Sequence, residues 1–376
     1  MQDGARGELV GANAPPRISV IVRSTNRHSL GEALDSIAAQ DYAPLEVIVV
    51  GASGADHPVP AKRAGAHAVR FAPSSVPLSR PRAANAGLDA ARGEWITFLD
   101  DDDIMLPGHI AGLAAAQRNA GDAKFIHTLA RARMADGSTE PWGQPFALIQ
   151  LYERNFIHLA TALFARSLVD AGCRFDPAFD IMQDWDFFLQ CAQLTAFHFE
   201  PRQTFEWRAD AGASGAGGGA NQDDARFAGF RDRIYAKWGA QRDALVARVE
   251  PALQDAAGRA ASGDLDGADA ACRRVLGVSQ NDPFALNLLA MVQRLRGQLT
   301  EARASQELAC AVRPNDPSLL YNLAVLCRLQ GNVAVARGHC RRALDLRADF
   351  APARRMLAEL DDQIAPAIDD SNRQAR

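Results

Sequence analysis

From Ile18 to Leu99 the apolar residues come in short β-branched runs, ISVIV, LEVIVV, AVRF and EWITFL, separated by amphipathic, alanine-rich stretches over 29–40 and 78–91. Short continuous runs fit strands buried on both faces, and the stretches between them recur at helical spacing. Their alternation predicts an α/β layer: a mostly parallel sheet with helices on both faces and right-handed crossovers. After Pro107 the pattern loosens. It predicts a helix to about Ala120, a strand near Phe125 to Ala132, a turn at Asp136-Gly137, and helices around Leu163 and Phe187. Residues 211–219, AGASGAGGG, have the backbone freedom of a lid that a ligand would order.

Beyond about Val249 a period of 34 residues takes over. Gly263, Gly297 and Gly331 share one register and Ala268, Ala302 and Ala336 another, while Pro283 and Pro317 close identical Asn-Asp-Pro tripeptides. Each unit reads as helix, glycine turn, helix, with small alanines at close helix approaches. With Leu286, Leu289, Ala290, Ala309 and Pro314, these residues resemble tetratricopeptide repeats over about 249–351; the first unit is degenerate, with Asp255 at a usually apolar place. A final helix from Pro352 to Ile364 would cap this all-α solenoid, whose concave face suits a protein partner or self-association.

A length of 376 residues favours two domains over one. The expected division is a disordered stretch at 1–16, an α/β domain at 17–240, the repeats with their cap at 249–364, and a flexible tail at 365–376. A net charge of −4 gives no electrostatic reason to expect nucleic acid or an anionic membrane surface as partner. No apolar run reaches bilayer-spanning length and the first residues lack the apolar core of a secretory signal, so no transmembrane segment and a cytoplasmic address are expected. Six dispersed cysteines without a C-x-x-C pair read as buried thiols rather than zinc ligands or disulfides.

The chemistry concentrates in FLDDDDIMLP, where an apolar strand runs directly into Asp100, Asp101, Asp102 and Asp103. Ligands bind at the carboxyl edge of open α/β sheets, and carboxylates there can hold a hard divalent cation, Asp100 and Asp102 being natural partners for one ion. A solvated acidic turn ahead of a helix fits the four aspartates alone equally well. The upstream segment RPRAANAGLDAARGEW separates the two readings by placing Arg82, Asn85, Gly87, Ala91 and Gly93 at fixed offsets before the acids.

With SVIVRSTNR and LDSIAAQDY, this segment resembles the family-2 glycosyltransferases, inverting enzymes of the GT-A (nucleotide-diphospho-sugar transferase) fold, over roughly 17–240. The resemblance implies a metal-dependent transfer from a nucleotide-sugar donor, a UDP-sugar first among the candidates, with Mg²⁺ or Mn²⁺ as cofactor. The acceptor would be a glycan, a lipid-linked glycan or a protein. It implies donor contacts from Thr25, Asn26, Arg27, Arg82, Asn85, Asp100 and Arg208, metal ligands in Asp100, Asp102 and Asp210, and a catalytic base in Asp184 of QDWDFFLQ.

Three positions depart from the family pattern. Gly51 and Ala52 stand where an Asp usually reads the nucleotide base, and Asp56 is either a substitute or an ordinary turn residue. Gln183 replaces the Glu before the base, and Asp210 replaces a metal-binding His in FEWRADAG. His158 and Trp142 fall where an acceptor pocket could form and fit ordinary packing as well. These departures define the alternative of a catalytically weak platform whose repeats bind a protein partner. Nucleotidyl transfer is a third reading, which lacks the glycine-rich basic loop that such enzymes carry near the first strand.

Overall fold

The structure, a computed structural model, describes residues 15–60, 62–134, 136–208 and 224–374. The chain divides into two compact units, Met1–Gly143 with Ile157–Arg231, and Gln144–Phe156 with Asp232–Arg376.

The first unit opens with β1 (Ile18–Ser24), α1 (Leu30–Ala38), β2 (Leu45–Gly51), β3 (Arg63–Ala64), β4 (His67–Ala72), α2 (Arg80–Ala90) and β5 (Trp95–Asp100). It continues with β6 (Ile104–Met105), α3 (His109–Asn119), β7 (Phe125–Arg133) and β8 (Thr139–Trp142). After α4 (Leu148–Glu153), which belongs to the second unit, come β9 (Ala162–Ala165), α5 (Arg166–Asp170), α6 (Gln183–Ala192) and β10 (Phe197–Arg208). The sheet order is β3-β4-β2-β1-β5-β9-β7-β10-β6, with β8 paired to β7. Pairs among β4, β2, β1 and β5 are parallel, as the alternating pattern predicts, and β7 with β10 is parallel again. Between these two groups β9 runs antiparallel to both β5 and β7, so the sheet is mixed.

The helix expected around Leu163 is therefore strand β9. All four of its residues are buried, and a four-residue apolar run carries no period that separates a strand from a buried helix turn. Strand β10 also escaped the pattern, because Glu200, Arg202 and Gln203 interrupt its alternation where the register shifts against β7.

The glycines before the acid cluster have packing roles. At Gly87, α2 lies so close to β1 that a Cβ would stand 2.3 Å from Ile21 Cγ2. At Gly93 a Cβ would stand 2.6 Å from Ser19 Oγ. The Glu46 carboxylate locks this turn: its Oε1 accepts Ser19 Oγ at 2.5 Å, Arg92 N at 2.6 Å and Gly93 N at 3.0 Å. These contacts fix where β5 starts, and so where its acidic end lies.

The second unit contains α4, α7 from residue 232 onward (Asp224–Ala261), and α8 (Leu265–Val278), α9 (Pro283–Leu295), α10 (Leu299–Val312), α11 (Pro317–Leu329), α12 (Val333–Leu346) and α13 (Ala351–Gln374). Gly263, Gly297 and Gly331 take φ of 84°, 79° and 77°, the left-handed geometry that the turns require. Asp282 and Asp316 cap α9 and α11, each followed by Pro at the first helical position. Segment 144–156, which the sequence places in the α/β region, belongs here instead. Asn281 Nδ2 donates to Phe146 O at 2.7 Å and Tyr235 Oη donates to Glu153 O at 2.7 Å. The six cysteines are all unpaired and buried.

Gly87→Ala sets helix propensity, worth up to about 1 kcal/mol in favour of Ala, against overpacking, which costs about 1–3 kcal/mol. The 2.3 Å approach decides for the clash, so the urea midpoint should fall; a midpoint equal to or above the parent would contradict this packing.

Candidate active site

The acidic end of β5 lies beside the end of β1, with Arg23 and Asp100 directly opposite one another in the parallel register. Their side chains pair in a two-pronged contact, Arg23 Nε to Asp100 Oδ1 and Nη2 to Oδ2, both 2.8 Å. One residue on, Asp101 is 1% exposed and organises the loop after β1. Its Oδ2 accepts Thr25 N at 2.8 Å and its Oδ1 accepts Arg27 Nη1 at 2.6 Å. Arg27 Nη1 also lies 3.1 Å from Asp102 Oδ2. Asn26 between them holds φ of 65°, with its N–H donating to Ser24 Oγ at 3.0 Å.

Apart from Asn26, which was expected among the donor contacts, these residues line a cleft of about 110 Å³ together with Ala52, Leu78 and Arg80. Of the expected donor contacts, Thr25, Arg27 and Asp100 line this cleft, and so does the expected metal ligand Asp102. Arg82 does not: it is exposed and outside the cleft lining, and Arg80, at the start of α2, takes its place. Asn85 also serves otherwise. Its Nδ2 donates to Phe175 O at 2.8 Å and its Oδ1 accepts Phe175 N at 3.0 Å, a clasp between α2 and the chain ahead of α6. Arg208 turns its guanidinium to Glu32, Nη2 to Oε2 at 2.6 Å, while its backbone N–H donates to Asp103 Oδ1 at 3.2 Å. Asp56 is exposed and does not line the cleft, which is the ordinary-turn alternative. Asp210 and the glycine-rich 211–219 lie outside the described residues.

Asp100, Asp102 and Asp103 each offer a carboxylate oxygen, and these oxygens lie within 4.8 Å of one another. Asp103 is thus a potential ligand that sequence reasoning did not single out, although it stands in the same run of four. Burial, then the neighbouring Asp100 and Asp102 charges, push the Asp103 carboxyl well above its ordinary pKa. Asp102 is raised by burial and by Asp100, against the opposing pull of Arg27. Burial opposes ionisation of Asp100 as well, but the Arg23 guanidinium outweighs it and lowers that pKa. Crowded, partly desolvated carboxylates of this kind are short of positive charge, and the hard-oxygen donor set fits a divalent cation.

Asp184 occupies the first turn of α6, where its Oδ1 accepts Trp185 N at 2.9 Å. The helix entrance is strained: Met182, the residue before it, has φ of 61°, a left-handed conformation that costs a side chain of this size about 1–3 kcal/mol. Below Asp184, Phe187 stacks on Phe175 with ring centroids 4.4 Å apart and 5° between planes. Arg80 connects the two acidic sites, lying within electrostatic reach of both Asp100 and Asp184. Asp186 is fully buried and accepts Gln190 Nε2 at 2.8 Å, which marks it as part of the helix scaffold. Gln183 is buried too, and its Oε1 has no hydrogen-bond partner among the described residues.

On another side of Asp100 stands an aromatic group. His158 lies 5.6 Å from Trp207 and 6.2 Å from Trp142, centroid to centroid, and the two indoles are 5.7 Å apart. Burial lowers the His158 pKa to about 4 against the pull of Asp100, so the ring is neutral at pH 7. Sequence alone gave no means of bringing Trp207 to this group, because β10 was not legible as a strand.

The raised Asp102 pKa has a sign that can be measured. An acid whose folded pKa exceeds its unfolded value of about 3.9 destabilises the fold at pH values above that point, where its charge is forced on it. Asp102→Asn should therefore melt higher than the parent in chelator at pH 7, with the difference closing towards pH 4. A parent that melts higher at pH 7 would contradict the crowding.

Comparison with known proteins follows the same lines. Residues 19–173 match the Glycosyl transferase family 2 profile. The uncharacterized glycosyltransferase YwdF of Bacillus subtilis is 30% identical over 190 residues, 47% of this chain and 68% of that protein. The GalNAc(5)-diNAcBac-PP-undecaprenol beta-1,3-glucosyltransferase of Campylobacter jejuni is 37% identical over 103 residues, 26% of this chain and 33% of that one. The crystal structure of S. aureus TarS 1-349 aligns over 93% of this chain and 92% of that chain at 13% identity, with a TM-score of 0.46. No helix among the described residues is long and apolar enough to cross a membrane. The chain belongs to glycosyl transferase family 2 and is a glycosyltransferase.

Proposed function

We propose that the chain moves a sugar from a nucleoside-diphosphate sugar, a UDP-sugar first among the candidates, to an acceptor hydroxyl with inversion at the anomeric carbon. The observation that carries this reading is the placement of two acidic sites around one arginine: the Asp100–Asp103 cluster and Asp184, both within electrostatic reach of Arg80. Single displacement needs a charge sink for the leaving group and a separate base for the acceptor.

Asp100, Asp102 and Asp103 would hold Mg²⁺ or Mn²⁺, with Asp210 a further candidate. When bound, the cation supplies charge neutralisation for the departing diphosphate. Arg27 and Arg80 add positive charge along the cleft wall, and the N–H groups of Thr25 and Arg27 are fixed in place by Asp101. Ala52 and Leu78 give the cleft an apolar stretch where the family usually reads the base with an Asp, so the nucleobase would be held by packing there. Asp184 takes the proton from the acceptor hydroxyl as that oxygen bonds to the anomeric carbon and the bond to the diphosphate oxygen breaks. Its short helix entrance, held at the strained Met182, keeps the carboxylate at a set position.

For the acceptor, Trp142, His158 and Trp207 offer flat, partly exposed faces beside Asp100, suited to a saccharide ring. The name of the Campylobacter relative specifies an undecaprenol-diphosphate-linked glycan, which favours a lipid-linked glycan over a protein as acceptor class. The aqueous, cytoplasmic side of a membrane is the corresponding place of action.

Release of nucleoside diphosphate from a panel of UDP-, GDP- and dTDP-sugars tests the base. Asp184→Asn should slow release by about 10² to 10⁴-fold while donor binding is kept. Unchanged release would remove Asp184 from the mechanism, and no release from any donor by the parent would favour the catalytically weak platform.

A further inference from the structure

A recess of about 460 Å³ in the second unit is lined by Arg154, Arg313 and Arg347 and by the Asn-Asp-Pro turn ahead of α11. Arg313 and Arg347 follow α10 and α12 as their C-caps, one 34-residue period apart. Each guanidinium lies over an aromatic ring, Arg313 at 5.2 Å from the Phe284 centroid and Arg347 at 4.0 Å from that of Phe350. Stacking engages the flat face of a guanidinium and leaves its in-plane N–H donors directed outward.

None of the three forms an ion pair among the described residues; Arg154 donates to Gln144 Oε1. Elsewhere in the unit Arg259, Arg273, Arg296 and Arg328 are all matched to carboxylates. The two acids of the recess are already engaged. Asp316 Oδ1 accepts the N–H groups of Ser318 and Leu319, and Glu153 Oε2 accepts Gln150 Nε2 at 2.8 Å. Arg342 adds a further cation at the turn, donating to Pro314 O at 3.3 Å. Three guanidiniums line the recess with two carboxylates, and Arg342 stands at its Pro314 edge, in a chain whose net charge is −4. A second recess of about 320 Å³ shares the Glu153 wall and is lined by Tyr152, Tyr235, Trp238 and Arg242.

We propose that these adjoining recesses form one groove that binds a saccharide chain carrying phosphate or carboxylate groups, with the anion among the arginines and sugar rings along the aromatic wall. Guanidinium donors match either oxyanion, and aromatic lining suits the apolar faces of pyranose rings, which an acidic peptide lacks. Binding here involves neither Asp102 nor Asp184, so it stands or falls apart from the catalytic assignment.

The test is calorimetric titration of the full chain with polygalacturonate, phosphorylated dextran, neutral dextran and polyglutamate. At least one anionic polysaccharide should bind, with neutral dextran and polyglutamate at least 10-fold weaker. Arg313→Gln combined with Arg347→Gln should weaken that binding at least 10-fold and leave the melting profile unchanged. The single Arg347→Gln, at an exposed position, should show a smaller loss in the same direction. Which anionic polysaccharide binds more tightly names the anion. Absence of binding, equal binding of polyglutamate, or full affinity in the folded arginine variants would overturn the proposal.

Discussion

Phe175 is the residue on which the placement of the site depends. Its backbone is clasped by Asn85, its ring meets Phe98 edge-on at 5.4 Å, and it stacks on Phe187. Each of these partners leads to one part of the site. Phe98 lies two residues before Asp100 on β5, Asn85 is on the helix that begins with Arg80, and Phe187 is three residues after Asp184. One fully buried ring thus sets the spacing of the acid cluster, the linking arginine and the second acid. Interiors are packed closely enough that such a fixed point transmits position to the groups attached to it.

Around that fixed point the protein tolerates electrostatic and backbone arrangements that do not favour stability. Three consecutive aspartates, Asp100 to Asp102, line a cleft with Arg23 and Arg27 as direct partners, Asp103 is buried next to them, and Asp102 and Asp103 resist ionisation. Two of the three non-glycine residues with positive φ among the described residues, Asn26 and Met182, flank the cluster and the second acid. Local rules broken together in one place, beside a sheet and helices that obey them, are the pattern of a site kept for function.

Much of this was legible in the chain itself. The β-branched runs gave the parallel strands, because buried strands need continuous apolar residues, and the 34-residue registers gave the helical pairs, because their turns require glycine. The run into Asp100–Asp103 marked the sheet edge that carries the cleft. What was not legible depended on contacts distant in sequence. Arg80 and Arg82 lie two apart in RPRAAN, and only the seating of α2 by Gly87 on Ile21 decides which faces the cleft. Asn85 fits an amide for nucleotide contact as well as it fits a clasp until Phe175 is seen beside it. Segment 144–156 is joined to the second unit by bonds to Asn281 and Tyr235, more than 80 residues further along, which no local period records.

Sugar transfer as proposed requires the acid cluster to be a cation-dependent nucleotide site. Calorimetric titration with UDP, GDP and dTDP, each with and without Mn²⁺, tests this directly when repeated on Asp102→Ala. Binding of one nucleotide that requires Mn²⁺ and disappears in the variant is the expected result. Binding that ignores both the ion and the substitution, or no binding of any nucleotide, would contradict it.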